Sequence, residues 1–239
     1  MALGGLFVRV VSSRAGIAAV LVALFTTDAV DPSAGPDSQM DVLVAAPAVI
    51  AISLLGQQVA QAAWPWIVSK WKGRSLARDF GVRFRWSDLW IGPLCGFGLL
   101  IAASVVGALL ARVVGLENAE EASNTDIITA GGASAWSLVV YACVVLGAPI
   151  SEEVFFRGLV LRAVGKRAGN VIGVAASTVL FTMVHVQSTS AAGLTVLLGS
   201  IACVGLILGV MAVRFGRLGP SILAHATLNG VAVLAALAA

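Results

Sequence analysis

Six polar side chains interrupt three otherwise apolar stretches of this sequence, at spacings that suggest chemistry. They are Glu152, Glu153 and Arg157 in one stretch, His185 in the next, and His225 with Asn229 in the last. Ionisable side chains at membrane depth are energetically costly, so they are rare there and usually functional. The set therefore indicates an active site built inside a membrane.

The two adjacent glutamates are expected to have different roles. Glu153 and Arg157 are four residues apart with the acid on the N-terminal side, which is the favourable orientation for an ion pair on a helix. Glu152 lies about 100° further round the helix and has no such local partner. Because burial without a partner disfavours the charged form of a carboxyl group, Glu152 suits a general acid or base. Phe156 and Phe181 are interpreted as packing side chains.

Three chemistries fit one glutamate, two histidines and one asparagine. In the first, Glu152 and His185 activate water while His225 and Asn229 donate hydrogen bonds to the oxyanion formed at a peptide carbonyl. In the second, Glu152, His185 and His225 bind a divalent metal such as zinc, with one position left open. In the third, the groups line a proton or cation pathway in a transporter.

The composition defines the class of protein around these residues. Of the 239 residues, 59% are hydrophobic and only 11% are charged, whereas a soluble domain carries about 25% charged residues. We therefore predict an all-α fold, a polytopic transmembrane helical bundle. No basic stripe is interleaved with aromatic residues, so nucleic-acid binding is not expected.

About seven hydrophobic segments are long enough to be helices of such a bundle. They run near 6–27, 42–68, 89–114, 134–164, 170–186, 192–213 and 219–238. The fourth is too long for one simple span, and we expect Gly147-Ala148-Pro149 to break it with a kink. Segment 6–27 resembles a signal peptide but lacks an A-x-A cleavage site, so a retained helix is favoured. No internal repeat is evident, and 1–239 is expected to be a single membrane domain.

The charges of the connecting loops predict the orientation. Lys and Arg residues concentrate in 69–88, 162–169 and 214–218, and the alternate loops are acidic or neutral. We predict an integral protein of the cell membrane. Since basic loops favour the cytoplasm, its N-terminus is predicted to be cytoplasmic. At about 1.5 Å per residue, Glu152, His185 and Asn229 all lie roughly 20 Å from the basic ends of their helices. The groups can therefore meet in one layer, in a site that opens toward the cytoplasm.

The polar residues also form ordered motifs that are known from a protein family. The motifs are Glu152-Glu153-x-x-x-Arg157, Phe181-x-x-x-His185 and His225-x-x-x-Asn229, with similar stretches at 217–222 and 80–88. In this order they resemble the signature motifs of the type II CAAX prenyl endopeptidases, also called the Abi or CPBP intramembrane proteases. The motif-bearing core covers about 134–232.

The resemblance implies an intramembrane peptidase. Glu152 and His185 would activate water, His225 and Asn229 would stabilise the oxyanion, and Glu153 with Arg157 would support the site. The family has been described both as metalloproteases and as metal-independent glutamate-type proteases, so a metal remains an option. Its partners would be the bilayer and a peptide or protein substrate, including lipidated ones.

Two alternatives from other classes stay open on the sequence. A non-catalytic membrane partner, such as an immunity protein, could retain the same motifs. An ion-coupled transporter is the weaker alternative, because such a protein is expected to contain two repeated halves and no internal repeat is evident in this sequence.

Overall fold

The structure, a computed structural model, describes residues 47–71, 75–116, 134–187 and 189–238, and these form helices without any strand. In chain order the helices are α1 (Pro47–Trp71), α2 (Leu76–Asp79), α3 (Asp88–Val114), α4 (Ala135–Ala168), α5 (Asn170–Met183), α6 (Ala191–Phe215) and α7 (Gly219–Ala238). The predicted all-α class is confirmed. Helices α3, α4, α6 and α7 are long and apolar enough to cross a membrane.

The helices agree closely with the hydrophobic segments predicted from the sequence. Helices α1 and α3 to α7 correspond to the second to seventh segments, with ends that differ by a few residues. The first segment, 6–27, lies outside the described residues. The total of about seven spans therefore stays a prediction.

Helix α4 differs from the prediction, because Pro149 does not break it. The backbone changes register instead: Cys143–Gly147 and Glu153–Leu161 form π-helical turns within an otherwise α-helical segment. A π turn uses i→i−5 hydrogen bonds and so absorbs an extra residue in the helix. The chain accommodates the proline and reaches the two glutamates while remaining helical.

Helix α7, which carries two of the predicted site residues, packs closely on α3. Gly92 and Gly96 of α3 face it at the spacing of small residues that lets membrane helices approach closely. A Cβ atom at Gly96 would lie 2.7 Å from the carbonyl oxygen of Ala224, and one at Gly92 would overlap Leu223. Larger side chains here would displace α7 and, with it, His225.

The polar connector before α3 fixes the start of α7. Arg217, in the turn between α6 and α7, donates hydrogen bonds to the carboxylate of Asp88, with Nη2 2.6 Å from Oδ1. The Asp88 side chain is fully buried, and its hydrogen bonds raise the pKa of the Arg217 guanidinium above its usual value. The backbone N–H of Leu218 also donates to the carbonyl oxygen of Gly81, at 2.8 Å. These contacts join the connector before α3 to the turn between α6 and α7, at one end of the bundle.

The Asp88–Arg217 pair leads to a stability prediction with a matched control. Arg217→Gln leaves the buried Asp88 carboxylate without its partner, so we expect a loss of about 3 kcal/mol or more in unfolding free energy. Arg214→Gln removes an exposed charge three residues away and should change stability by less than about 0.5 kcal/mol. Thermal unfolding in detergent measures both variants, and an equal effect of the two would show that the buried pair stabilises nothing.

Candidate active site

His225 lies between the two glutamates of α4. Its Nδ1 atom is 3.4 Å from Oε1 of Glu153, and its Nε2 atom is 3.8 Å from Oε2 of Glu152. The residues are 4%, 0% and 7% exposed respectively, so the three groups interact away from bulk solvent. Glu152 retains the greatest exposure of the three.

Glu153 is fixed by Arg157, as the sequence spacing predicts. Nη1 of Arg157 donates to Oε1 of Glu153 at 2.8 Å, and both side chains are fully buried. Nη2 of Arg157 donates to the carbonyl oxygen of Gly205 on α6, at 3.0 Å. The guanidinium therefore joins α4 to α6 as well as neutralising the inner carboxylate.

The ring of Phe181 lies among the motif residues. Arg157 stacks over it with its guanidinium carbon 4.4 Å from the ring centroid, a cation–π contact. The rings of His185 and His225 lie 4.7 Å and 6.0 Å from it, centroid to centroid. Phe181 packs as expected, and the side chains that it packs against are Arg157 and the two histidines of the motifs.

His185 caps the end of its own helix. Helix α5 has 14 residues and ends at Met183, two residues before His185. At about 21 Å, this helix is shorter than the roughly 30 Å thickness of a bilayer core. Nδ1 of His185 lies 2.7 Å from the carbonyl oxygen of Phe181, and because a carbonyl can only accept, Nδ1 is the donor. In the neutral ring Nε2 is then unprotonated and can accept a proton.

The π turn before Pro149 explains the position of Asn229. In this turn the N–H of Ala148 donates to the carbonyl oxygen of Cys143. The next carbonyl, that of Val144, would take the N–H of residue 149, which proline lacks. Nδ2 of Asn229 donates to this carbonyl at 2.8 Å. One N–H of the Asn229 amide is thus committed to α4, and the other is free to bind elsewhere.

A second side chain supports the same turn from α1. Nε2 of Gln58 donates to the carbonyl oxygen of Cys143 at 2.9 Å. The amide lies directly against Gly147, where a Cβ atom would overlap it. Gln58 was not predicted from the sequence, although three glutamines in the apolar segment 42–68 were a usable signal, because polar residues in such segments often join helices by hydrogen bonds.

The residues present do not fit a metal site. Among the described residues, no three His, Cys, Asp or Glu side chains come close enough to hold one ion. Of the three proposed ligands, Glu152 and His225 are neighbours. The third, His185, packs against the ring of Phe181 and does not join that pair. No catalytic step is therefore assigned to a metal.

One of the two glutamates of the cluster has a fixed counter-charge. Arg157 neutralises Glu153, which leaves Glu152 and His225 as a pair of neighbouring titratable groups. Because uncompensated charge is costly in a low-dielectric layer, the pairing with Arg157 allows the Glu153 carboxylate to be buried.

The structure brings together four of the six predicted residues by direct contact. Glu152, Glu153, Arg157 and His225 form the cluster, His185 joins it through Phe181, and Asn229 is held against Val144. The sequence analysis assigned no role to Asp88 or Arg217 beyond their place in similar stretches. Their pairing depends on a contact over 129 residues of sequence, which local spacing does not reveal.

Comparison with known proteins agrees with this architecture. Residues 134–231 match the family described as type II CAAX prenyl endopeptidase Rce1-like. No curated protein and no solved structure matches the chain. The matched range coincides with the predicted core of about 134–232 and contains all three motifs, so the resemblance is confirmed over these residues.

The proline and the asparagine can be tested together. Asn229→Ala leaves the carbonyl of Val144 without its donor, and we expect a loss of about 1–3 kcal/mol in unfolding free energy. Adding Pro149→Ala supplies a backbone N–H at this turn and should recover part of that loss. Thermal unfolding of the two single variants and the double variant measures the effect; strictly additive changes would contradict the assignment.

Proposed function

We propose that this chain, with its domain of the type II CAAX prenyl endopeptidase family at residues 134–231, is an intramembrane peptidase. The observation that supports this best is the position of His225 between Glu152 and Glu153 in a buried layer. Such a cluster of acid, base and fixed counter-charge suits hydrolysis, in which a proton must be taken from water and returned to a leaving group.

In the proposed reaction, Glu152 is the general base. Its carboxylate accepts a proton from a water molecule as the water oxygen attacks the carbonyl carbon of the substrate peptide. Nε2 of His185, left free by the Nδ1 hydrogen bond to Phe181, accepts a hydrogen bond from the same water and orients it. A carbon–oxygen bond forms, and the carbonyl electrons move to the oxygen, which becomes an oxyanion.

His225 and Asn229 are proposed to stabilise that oxyanion. His225, carrying a proton on both ring nitrogens so that Nδ1–H faces Glu153, donates from Nε2. Asn229 donates the amide N–H that Val144 does not use. Removing one such donor typically lowers kcat by about 10²–10³. The proton held by Glu152 then passes to the amide nitrogen as the carbon–nitrogen bond breaks, which restores the carbonyl and frees the base.

Glu153 and Arg157 are proposed to position these groups without touching the substrate. The carboxylate of Glu153 faces Nδ1 of His225 and so directs Nε2 toward Glu152. Arg157 holds that carboxylate in place from the other side. This arrangement resembles the use of a buried acid to fix the orientation of a catalytic histidine in other hydrolases.

The substrate is proposed to be a membrane-associated protein or peptide, of the prenylated type that the family description names. A lipid anchor would bring the scissile bond to a site within the bilayer. The basic loops predict that this site opens to the cytoplasmic side of the cell membrane.

The catalytic proposal predicts the effect of one isosteric change. Glu152→Gln keeps the size of the side chain but removes the base, so the rate of cleavage should fall at least about 100-fold. Asp79→Asn makes the same chemical change in α2, outside the site, and should leave cleavage unchanged. Purified protein in liposomes, with a peptide carrying a farnesylated C-terminal CAAX sequence and a library of membrane peptides, provides the assay.

Three outcomes separate the alternatives. Wild-type cleavage by Glu152→Gln would remove the proposed base. Since no three donors cluster within the part of the chain that the structure describes, a chelator should leave the wild-type rate unchanged. Loss of activity would instead indicate that Glu152, His185 and His225 rearrange around a metal. The absence of cleavage by wild type on every peptide would favour a non-catalytic membrane partner.

A further inference from the structure

A separate cavity of about 250 Å³ lies at the basic end of the bundle. It is an open pocket between the C-terminal part of α4, the start of α5 and the end of α6. Its lining residues are Arg157, Leu161, Arg162, Gly165, Lys166, Asn170, Ala212, Val213 and Gly216. The lining thus includes both exposed residues such as Lys166 and the fully buried Arg157.

The lining of this cavity is cationic and contains no acid. Arg162 and Lys166 contribute two positive charges, and Asn170 adds an amide. The charge of Arg157, the third basic lining residue, is balanced by Glu153. Arg162 is already oriented there, because its Nη2 donates to the carbonyl oxygen of Gly216 at 3.1 Å. The Nε atom of Arg157 is buried and has no hydrogen-bond partner. An unpaired buried donor is unusual and favours a ligand that can accept from this cluster.

We propose that this cavity binds the phosphate group of an anionic ligand, supplied by an acidic phospholipid headgroup or by free phosphate. Arginine and lysine together are well suited to phosphate, through hydrogen bonds and charge. The walls formed by Leu161, Ala212 and Val213 are apolar and would contact the glycerol and first acyl carbons of a lipid. Basic residues at helix ends also lie at the level where lipid headgroups are found.

Occupation of the cavity would act on the protease cluster through a shared residue. Arg157 lines the cavity and also binds Glu153. A phosphate there places a negative charge near a guanidinium that is otherwise balanced by a single carboxylate. Since the ligand binds the folded protein, it should stabilise that state increasingly as its concentration rises above its Kd. This effect does not depend on the proposed proteolysis.

The test measures thermal stability of the full chain in detergent against ligand concentration. The probes are short-chain phosphatidylglycerol, short-chain phosphatidylcholine as the uncharged counterpart, and inorganic phosphate. The variants are Lys166→Gln, with Lys70→Gln as the matched change on another exposed lysine, and Arg162→Gln, with Arg214→Gln as its match. Both matched residues are exposed and neither lines this cavity.

We expect phosphatidylglycerol to raise the melting temperature of wild type more than phosphatidylcholine does. Lys166→Gln and Arg162→Gln should each weaken the apparent affinity about tenfold, as expected for loss of one charge-assisted hydrogen bond, while the matched variants keep it. The same pattern with inorganic phosphate alone would support the site and identify a free anion as sufficient. No stabilisation by either anion, or equal losses in Lys166→Gln and Lys70→Gln, would overturn the proposal.

Discussion

Glu153 and Arg157 place two opposite charges in the interior of a helical bundle, and several other features are arranged around that pair. Breaking such a pair leaves an uncompensated buried charge, at a cost of about 3–5 kcal/mol. Three groups from other helices contact the pair. The carbonyl oxygen of Gly205 and the ring of Phe181 contact Arg157, and a ring nitrogen of His225 faces Glu153. The guanidinium of Arg157 thereby joins α4, α5 and α6.

A proline imposes the second constraint on the site. Pro149 cannot donate a hydrogen bond, and the π turn before it leaves the carbonyl of Val144 to be satisfied from outside the helix. Asn229 on α7 meets that need, and Gln58 on α1 supports the neighbouring carbonyl of Cys143. A local backbone requirement in α4 thus determines where Asn229, 80 positions after the proline, must lie. The same turn is also supported by α1, a helix outside the matched family range.

Local spacing was sufficient to predict much of this arrangement. The hydrophobic segments predicted the helices, and the i,i+4 spacing predicted the Glu153–Arg157 pair, because both depend on residues close in sequence. The predicted break at Gly147-Ala148-Pro149 was wrong, since the helix continues through a change of register that is not visible in a hydrophobicity pattern. The kink expected there stays a prediction. The Asp88–Arg217 pair depends on tertiary packing, which gives no local signal. The glutamines of segment 42–68 do signal a hydrogen bond between helices, but they do not identify Cys143 as the acceptor for Gln58. The roles of the individual site residues in catalysis stay predictions.

The central claim is that the buried pair orients His225 for hydrolysis and does not merely stabilise the bundle. The direct measurement compares Arg157→Met with the double variant Glu153→Met/Arg157→Met, by thermal unfolding and by cleavage of the farnesylated peptide. The single variant should lose stability, because Glu153 is left unpaired, and the double variant should recover most of it. The account predicts that the recovered protein is still inactive, because His225 has lost the carboxylate that faces Nδ1. A stable double variant that cleaves at the wild-type rate would contradict it.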